Sequence, residues 1–312
     1  MTVKNISIVI PVFNSEESLE ELYQRIDSSQ NSAGRNYEII FVDDSSHDHS
    51  WDKINELAAK DERIHGIRLC RNFGQHNALL CGIRAARYEV IVTMDDDFQN
   101  PPEEIEQLVN KLDEGYDVIY GVPETEQHGV LRDISSFITK LAIQLSTNLK
   151  TVRHVSAFRA FRTKIRDSFV EFNSPILSID VLLFWGTNRI SSLPVRHDKR
   201  TYGKSNYTFR KLIAHALHMM TGFSVLPLRL TSWVGFSFTM FGMLTMAFVV
   251  LRFIVQGTSV SGFTFLASII SIFSGATMFA LGIFGEYLAQ IHLRVMGKPV
   301  YAVMEKTSNF DQ

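Results

Sequence analysis

The stretch VIVTMDDDFQNPPEE, residues 90–104, decides the fold prediction, because an apolar run leads directly into three consecutive aspartates. Residues 89–94 have the β-branched composition of a buried strand. The residues that follow the aspartates, Asn100 to Glu103, predict a helix start with Asn100 as its N-cap. Three adjacent carboxylates repel one another, so a turn that carries them is expected to be neutralised by something positive.

The same alternation of strand and helix extends through the first 121 residues. Strands are predicted at 6–13, 37–42, 65–69, 89–94 and 117–121, and helices after Asn14 (as N-cap), at 50–60, within 72–86, and from Asn100 to a stop at Gly115. Apolar strands separated by helices predict a parallel sheet covered on both faces. Such sheets bind ligands beyond the carboxyl ends of their strands, where Asp43-Asp44 and Asp95–Asp97 both fall.

Composition narrows the class of protein. The chain of 312 residues has a formal net charge of −2, which gives no basic field for nucleic acid. Its two cysteines, Cys70 and Cys81, have apolar neighbours, so they are predicted to be core residues without a disulfide, in a reducing compartment.

Two long stretches, 230–251 and 257–285, carry no charged residue. Each reaches the roughly 20 residues that a helix needs to cross a bilayer. The alternative is a pair of buried helices in a soluble core, but two such runs in succession are difficult to bury. The sequence therefore predicts a membrane protein with transmembrane helices at 229–254 and 260–285.

The flanking charges predict the orientation of this pair. Lysines and arginines precede the first span and follow the second, whereas the loop between them has none beyond Arg252 at its edge. The positive-inside rule then puts both termini in the cytoplasm. The predicted arrangement is a cytosolic domain at 1–206, an interfacial helix at 207–228, the two spans, and a cytosolic interfacial tail at 286–312, in the inner (cytoplasmic) membrane.

The acidic turn after the fourth predicted strand suits a divalent cation. In an extended turn Asp95 and Asp97 point to the same side, and Gln99 can add an amide oxygen. Mg²⁺ typically takes one or two protein carboxylates together with substrate phosphates. The alternative is a solvated acidic turn that caps the next helix, which is disfavoured because the preceding strand reads as buried and a second acidic turn lies at the same edge.

Several motifs together carry a family resemblance. IPVFNSEESL, EIIFVDDSS, RNFGQHNALLCGI, DDDFQNPPE and GYDVIYG, in this order, resemble the family-2 glycosyltransferases with a GT-A fold. With GKSNYTFRKL and GFSVLPLRL ahead of two spans, the chain is similar to the polyprenyl-phosphate glycosyltransferases in particular. The resemblance covers essentially the whole chain, and it implies a GT-A domain with a mostly parallel, Rossmann-like sheet.

The resemblance implies a donor site for a nucleoside-diphosphate sugar. It assigns nucleotide-sugar contacts to Pro11, Phe13, Glu16, Asp43, Asp44, Arg71 and Asp96, and it assigns Mg²⁺ or Mn²⁺ to Asp95, Asp97 and Gln99. For Glu16, Asp44 and Arg71 a plain surface role stays open.

The resemblance also implies an acceptor site for a polyprenyl phosphate. Arg132 and Arg200 correspond to the arginines that hold the acceptor phosphate, with Lys204 and Arg159 as further candidates. Arginine suits this task because its planar fork matches phosphate oxygens. The alternative for Arg200 and Lys204 is simple contact with anionic lipid headgroups.

The chain departs from the family pattern in two places. Pro123 and Glu124 stand where many members have an arginine, and Ser156 and Ala157 replace an acidic residue that is a natural catalytic base. Asp180 is predicted to substitute for this residue as the catalytic base. The alternative is that Asp180 has only a structural role at a helix end. A phosphate monoester with a second pKa of about 6 is already largely ionised at neutral pH and needs no base.

The predicted activity is an inverting, metal-dependent transfer in which Asp95, Asp97, Arg132, Arg200 and Asp180 act directly. Within the bilayer the protein is expected to form a homo-oligomer, with a tetramer possible. Two other functions remain open, namely a processive polysaccharide synthase and a non-catalytic membrane component that binds nucleotide-sugar. Two spans and the lack of a QxxRW-like motif disfavour the synthase.

Overall fold

The structure, a computed structural model, describes residues 5–123, 155–174, 177–198, 225–256 and 262–310. Its strands are β1 (Ile6–Val12), β2 (Tyr37–Asp43), β3 (Ile64–Leu69), β4 (Val90–Thr93), β5 (Val118–Pro123), β6 (Arg159–Arg162), β7 (Ile190–Val195) and β8 (Val303–Lys306). Its α-helices are α1 (Leu19–Ser32), α2 (Ser50–Lys60), α3 (Gln75–Ala85), α4 (Ile105–Lys111), α5 (Thr163–Arg166), α6 (Ile179–Gly186), α7 (Leu226–Gln256) and α8 (Phe263–Val295).

All eight strands form one sheet in the order β7-β5-β6-β4-β1-β2-β3-β8. The four strands at its centre, β4-β1-β2-β3, are parallel, whereas β6 and β8 run antiparallel to their neighbours. The predicted mostly parallel α/β sheet is thus confirmed. Because the central strands are parallel, the loops after β1, β2, β3 and β4 all emerge at one edge.

Helices cover both faces of the sheet, as the fully apolar strands require. Alternate residues of β1 show this, because Ile8 and Ile10 pack in the cluster with α1, α2 and α4, whereas Val9 packs in the cluster with α3 and α6. All seven residues of β1 are buried. The carboxyl ends of the central strands are therefore packed against hydrophobic core on both faces of the sheet.

The C-terminal tail belongs to the same sheet. Strand β8 pairs with β3, Val300 is buried in the core, and the Cys70 N–H donates to the Ala302 carbonyl at 2.9 Å. Further along, Thr307 and Gly66 exchange two hydrogen bonds of 3.0 Å. After α8 the chain thus returns to the domain that precedes α7.

Helices α7 and α8 are both long and apolar enough to cross a membrane. They have 31 and 33 residues, or roughly 46 and 50 Å at 1.5 Å per residue, against a hydrocarbon core of about 30 Å. Their large apolar side chains are exposed, as in Trp233, Leu244 and Ile254. A helix buried in a soluble core would not leave these side chains uncovered.

Several local predictions were wrong. Helix α1 begins at Leu19 instead of near Asn14, because the Asn14 side chain accepts the His47 N–H at 2.8 Å and does not cap the helix. Pro101 is extended, and the helical residues start at Pro102, so Asn100 is not an N-cap. Cys81 is buried as expected, whereas Cys70 is exposed.

Candidate functional site

The loops after β1, β2, β3 and β4 bring the predicted donor-site residues to one edge of the sheet. Phe13 follows β1, Asp43 ends β2 with Asp44 after it, Arg71 follows β3, and Asp95 follows β4. Pro11 is buried inside β1, paired with Val42 of β2, and offers no exposed surface. Phe13 is 41% exposed, and its ring makes an edge-to-face contact with the His47 ring, with 6.2 Å between the ring centroids.

Three residues other than glycine have left-handed backbone conformations, and all three lie in the loops at this edge. They are Asn14 (φ 54°), Ser45 (φ 62°) and Phe98 (φ 60°), among the residues that the structure describes. Such conformations are costly and cluster at functional sites, where the surrounding structure enforces them.

The loops after β1 and β2 are tied together by side-chain hydrogen bonds to backbone. The Asn14 N–H donates to Ser46 Oγ at 2.9 Å, and the Glu16 carboxylate accepts the His49 N–H at 2.7 Å. Glu16, predicted to line the nucleotide pocket, thus makes a loop-to-loop contact here. The result is a rigid rim beside Phe13.

Asp43 has one carboxylate oxygen without a hydrogen bond in the described structure. Its Oδ1 accepts the Ser46 N–H at 3.1 Å, whereas Oδ2 lies 3.4 Å from Arg68 Nε and accepts no hydrogen bond. The side chain is fully buried, and this burial raises the pKa of Asp43. A buried acceptor without a donor is costly, so it suits a ligand that brings one.

Both carboxylate oxygens of Asp44 accept hydrogen bonds from the loop after β3. They accept the N–H groups of Phe73 and Gly74, each at 2.7 Å. Burial raises the pKa of Asp44, and the two backbone hydrogen bonds counteract that rise. This geometry makes Asp44 an anchor for the loop that carries Arg71, whose exposed guanidinium lies 4.6 Å from the Phe73 ring centroid.

The acidic turn after β4 is fixed by two amide groups. Gln75 Nε2 donates to Asp95 Oδ1 at 2.7 Å, and the Gln99 N–H donates to Asp97 Oδ1 at 3.1 Å. Asp97 is buried, whereas Asp95, Asp96 and Gln99 are partly exposed. Sequence reasoning missed Gln75, which is visible in RNFGQHN only as a polar helix start.

The donor set of this turn fits a hard divalent cation that is shared with a substrate. Among the described residues no group of three His, Cys, Asp or Glu side chains is placed to hold a metal alone. At phosphate sites, Mg²⁺ and similar divalent cations usually bind one or two protein carboxylates, and oxygens of phosphate and water complete the coordination shell. Asp95 and Asp97 meet that requirement.

Arg159 and Asp180 pair with each other beneath the site. Arg159 is 1% exposed, its guanidinium contacts the Asp180 carboxylate, and its Nε donates to Thr93 Oγ1 at 2.9 Å. Tyr120 OH donates to the same carboxylate at 3.2 Å. This geometry disagrees with the prediction of Arg159 as a phosphate ligand, because the guanidinium is enclosed by core. Asp180 does start a helix, α6, but its carboxylate is committed to Arg159.

The predicted acceptor residues Arg132, Arg200 and Lys204 lie outside the described residues. The chain leading to Arg200 does reach the acidic turn, because the Asp198 N–H donates to the Gln99 carbonyl at 3.0 Å.

The chain matches known proteins over most of its length. Residues 7–169 match the family described as Glycosyl transferase family 2. Two relatives named undecaprenyl-phosphate 4-deoxy-4-formamido-L-arabinose transferase are similar over 96% of this chain. One, from Shewanella sediminis (strain HAW-EB3), is 36% identical over 92% of its own length, and the other, from Klebsiella pneumoniae (strain 342), is 34% identical over 93%.

A solved structure shares the fold. Glucosyl-3-phosphoglycerate synthase from Mycobacterium tuberculosis, in complex with Mn²⁺, uridine diphosphate and glucosyl-3-phosphoglycerate, superposes with a TM-score of 0.50 and 19% sequence identity. The match covers 70% of this chain and 78% of that chain. The likeness shows the GT-A fold and nothing finer.

Proposed function

Because the chain belongs to glycosyltransferase family 2, we propose that it transfers a sugar from a nucleoside-diphosphate sugar to a polyprenyl phosphate in the membrane. The relatives' names point to undecaprenyl phosphate as acceptor and to 4-deoxy-4-formamido-L-arabinose as the sugar. The observation that carries the proposal is the acidic turn Asp95–Asp97, which lies at the sheet edge to which the chain returns after α8.

The donor occupies the rim formed by the loops after β1, β2 and β3. Asp43 Oδ2 accepts a hydrogen bond from the nucleoside, Phe13 packs against it, and Arg71 approaches the diphosphate. Asp95 and Asp97, with Gln99, would hold Mg²⁺ or Mn²⁺. When bound, such a cation neutralises the charge that builds up on the departing nucleoside diphosphate.

The acceptor reaches the site from the bilayer. Helix α8 ends at Val295, and five residues later Val300 is buried beside the sheet. Five residues span at most about 18 Å, so the end of α8 lies near Cys70 and the carboxyl edge of the strands. If α7 and α8 cross the inner membrane, that edge faces the membrane surface, and both chain termini lie in the cytoplasm.

The reaction is a single displacement. A phosphate oxygen of the acceptor, oriented by Arg132 and Arg200, forms a bond to the anomeric carbon as the bond from that carbon to the diphosphate breaks. The configuration of the sugar inverts. The attacking phosphate is already an anion at neutral pH, so no base is required. The pairing of Asp180 with Arg159 supports a mechanism without this substitute base.

A donor and acceptor panel tests this function. The purified protein is supplied with undecaprenyl phosphate, Mn²⁺, and radiolabelled nucleotide sugars that include the uridine-diphosphate form of 4-deoxy-4-formamido-L-arabinose. We expect label in a butanol-extractable lipid that mild acid hydrolyses. Label in a polymer would identify a processive synthase instead, and nucleotide-sugar binding without any product would identify a non-catalytic component.

A further inference from the structure

The hydrogen bond from Gln75 to Asp95 spans two loops that are far apart in sequence. Gln75 is the first residue of α3, and its Nε2 lies 2.7 Å from Asp95 Oδ1. We propose that Gln75 is a positioning residue, which orients the Asp95 carboxylate toward the divalent cation. This inference rests on the proposed function, since it assumes that the acidic turn binds a cation.

Gln75 starts from a rigid base. Gly74, just before it, has φ 93°, a conformation that favours glycine, and its N–H is held by the Asp44 carboxylate at 2.7 Å. Behind Gln75, helix α3 packs so closely on β1 that a Cβ on Gly82 would lie 2.4 Å from Val9 Cγ1. Contacts with β1 and with the loop after β2 therefore fix the backbone position of Gln75. The side-chain amide of Gln75 then connects this part of the domain to the turn after β4.

A neutral amide is chemically suited to this task. It donates a hydrogen bond to one carboxylate oxygen without the positive charge of a lysine, which would compete with a cation for Asp95. Partners that orient a ligating carboxylate commonly contribute tenfold or more to metal affinity. Gln75 is exposed, so its replacement should leave the fold unchanged.

The test measures binding of Mn²⁺ directly, by the electron paramagnetic resonance signal of free Mn²⁺ titrated with protein in the presence of uridine diphosphate. Gln75→Ala removes the amide, and Gln75→Asn keeps the amide but shortens its reach by about 1.5 Å. The matched control is Gln107→Ala, because Gln107 is also a glutamine that donates to a partly exposed carboxylate, that of Glu104, at 3.0 Å. Affinity for uridine diphosphate without metal is measured in parallel.

We expect both Gln75 variants to bind Mn²⁺ about tenfold or more weakly, with unchanged thermal stability and unchanged metal-free nucleotide affinity. Gln107→Ala should match the wild type. Equal Mn²⁺ affinity of wild type and Gln75→Ala would overturn the positioning role alone. Loss of metal-free nucleotide affinity in Gln75→Ala would also overturn it, because Gln75 would then contact the nucleotide. A wild-type protein that binds no Mn²⁺ would instead overturn the metal site of the proposed function.

Discussion

The contact between Gly66 and Thr307 decides how the C-terminal tail is attached, and it can be tested by a double substitution. A Cβ added at Gly66 would lie 2.7 Å from Thr307 Cγ2 and 2.5 Å from Ile54 Cγ2. Both distances are shorter than real Cβ contacts, so Gly66→Ala forces the tail and α2 apart. Overpacking of this kind costs about 2 kcal/mol, which lowers the melting temperature of a domain this size by roughly 4–8 °C.

Thr307→Ser removes the methyl group and keeps the hydroxyl that accepts the Gly66 N–H. Alone it should cost about 1 kcal/mol, the value of one buried methyl group. Combined with Gly66→Ala it relieves one of the two close contacts. The double variant should therefore be more stable than the sum of the single effects by about 1 kcal/mol, a coupling that only neighbouring residues show.

The assay is thermal unfolding of the purified protein in detergent, and Gly82→Ala provides the matched control. Gly82 is also closely packed, but a Cβ there would meet Val9 and Val42 instead of the tail. Gly82→Ala and Thr307→Ser should therefore be additive. Additive effects of Gly66→Ala and Thr307→Ser would refute the docking of the tail on β3.

Three further predictions concern single groups. Asp180→Asn leaves the buried Arg159 without its ion pair, so it should destabilise the fold by about 3–5 kcal/mol; a stable but inactive Asp180→Asn would identify a catalytic base instead. A thiol reagent at pH 8 should label the exposed Cys70 but not Cys81, because burial raises the pKa of the Cys81 thiol to about 12; equal labelling would contradict this packing. Asp43→Asn should weaken nucleotide binding and remove its pH dependence. In the wild type affinity should fall as pH decreases through the pKa of Asp43, which burial raises, because the protonated carboxyl loses an acceptor; affinity that stays constant with pH would exclude this contact.

The central sheet could be predicted because its strands are fully apolar. Strands β1 to β5 were each located from sequence to within two residues at either end, and α2 was located correctly. Strands β6, β7 and β8 were missed, because RAFR, ISSLPV and VMEK have no alternating pattern and their pairing partners are distant in sequence. Strands as short as β6 and β8, with four residues each, depend on tertiary contacts rather than on local preference.

The candidate site was predictable where it depends on strand ends and not where it depends on contacts between loops. The acidic turn and Asp43 follow from the position of strands in the sequence. Arg159 was predicted from the resemblance as a candidate for the acceptor phosphate. Its burial could not be predicted, because arginine is almost never buried unless it is paired and its partner Asp180 is known only from the fold. Gln75 contacts Asp95 only because α3 begins beside the end of β4.

The most direct test of the central claim is the metal dependence of sugar transfer by the wild type and Asp97→Ala. Both proteins are freed of metal with a chelator, supplied with donor and undecaprenyl phosphate, and assayed for labelled lipid with and without added Mn²⁺ or Mg²⁺. The wild type should form product only with a divalent cation, and Asp97→Ala should be slower by about a hundredfold or more, as expected when charge stabilisation of the leaving group is lost. Product formed at the wild-type rate by Asp97→Ala, or by the wild type without any divalent cation, would contradict the claim.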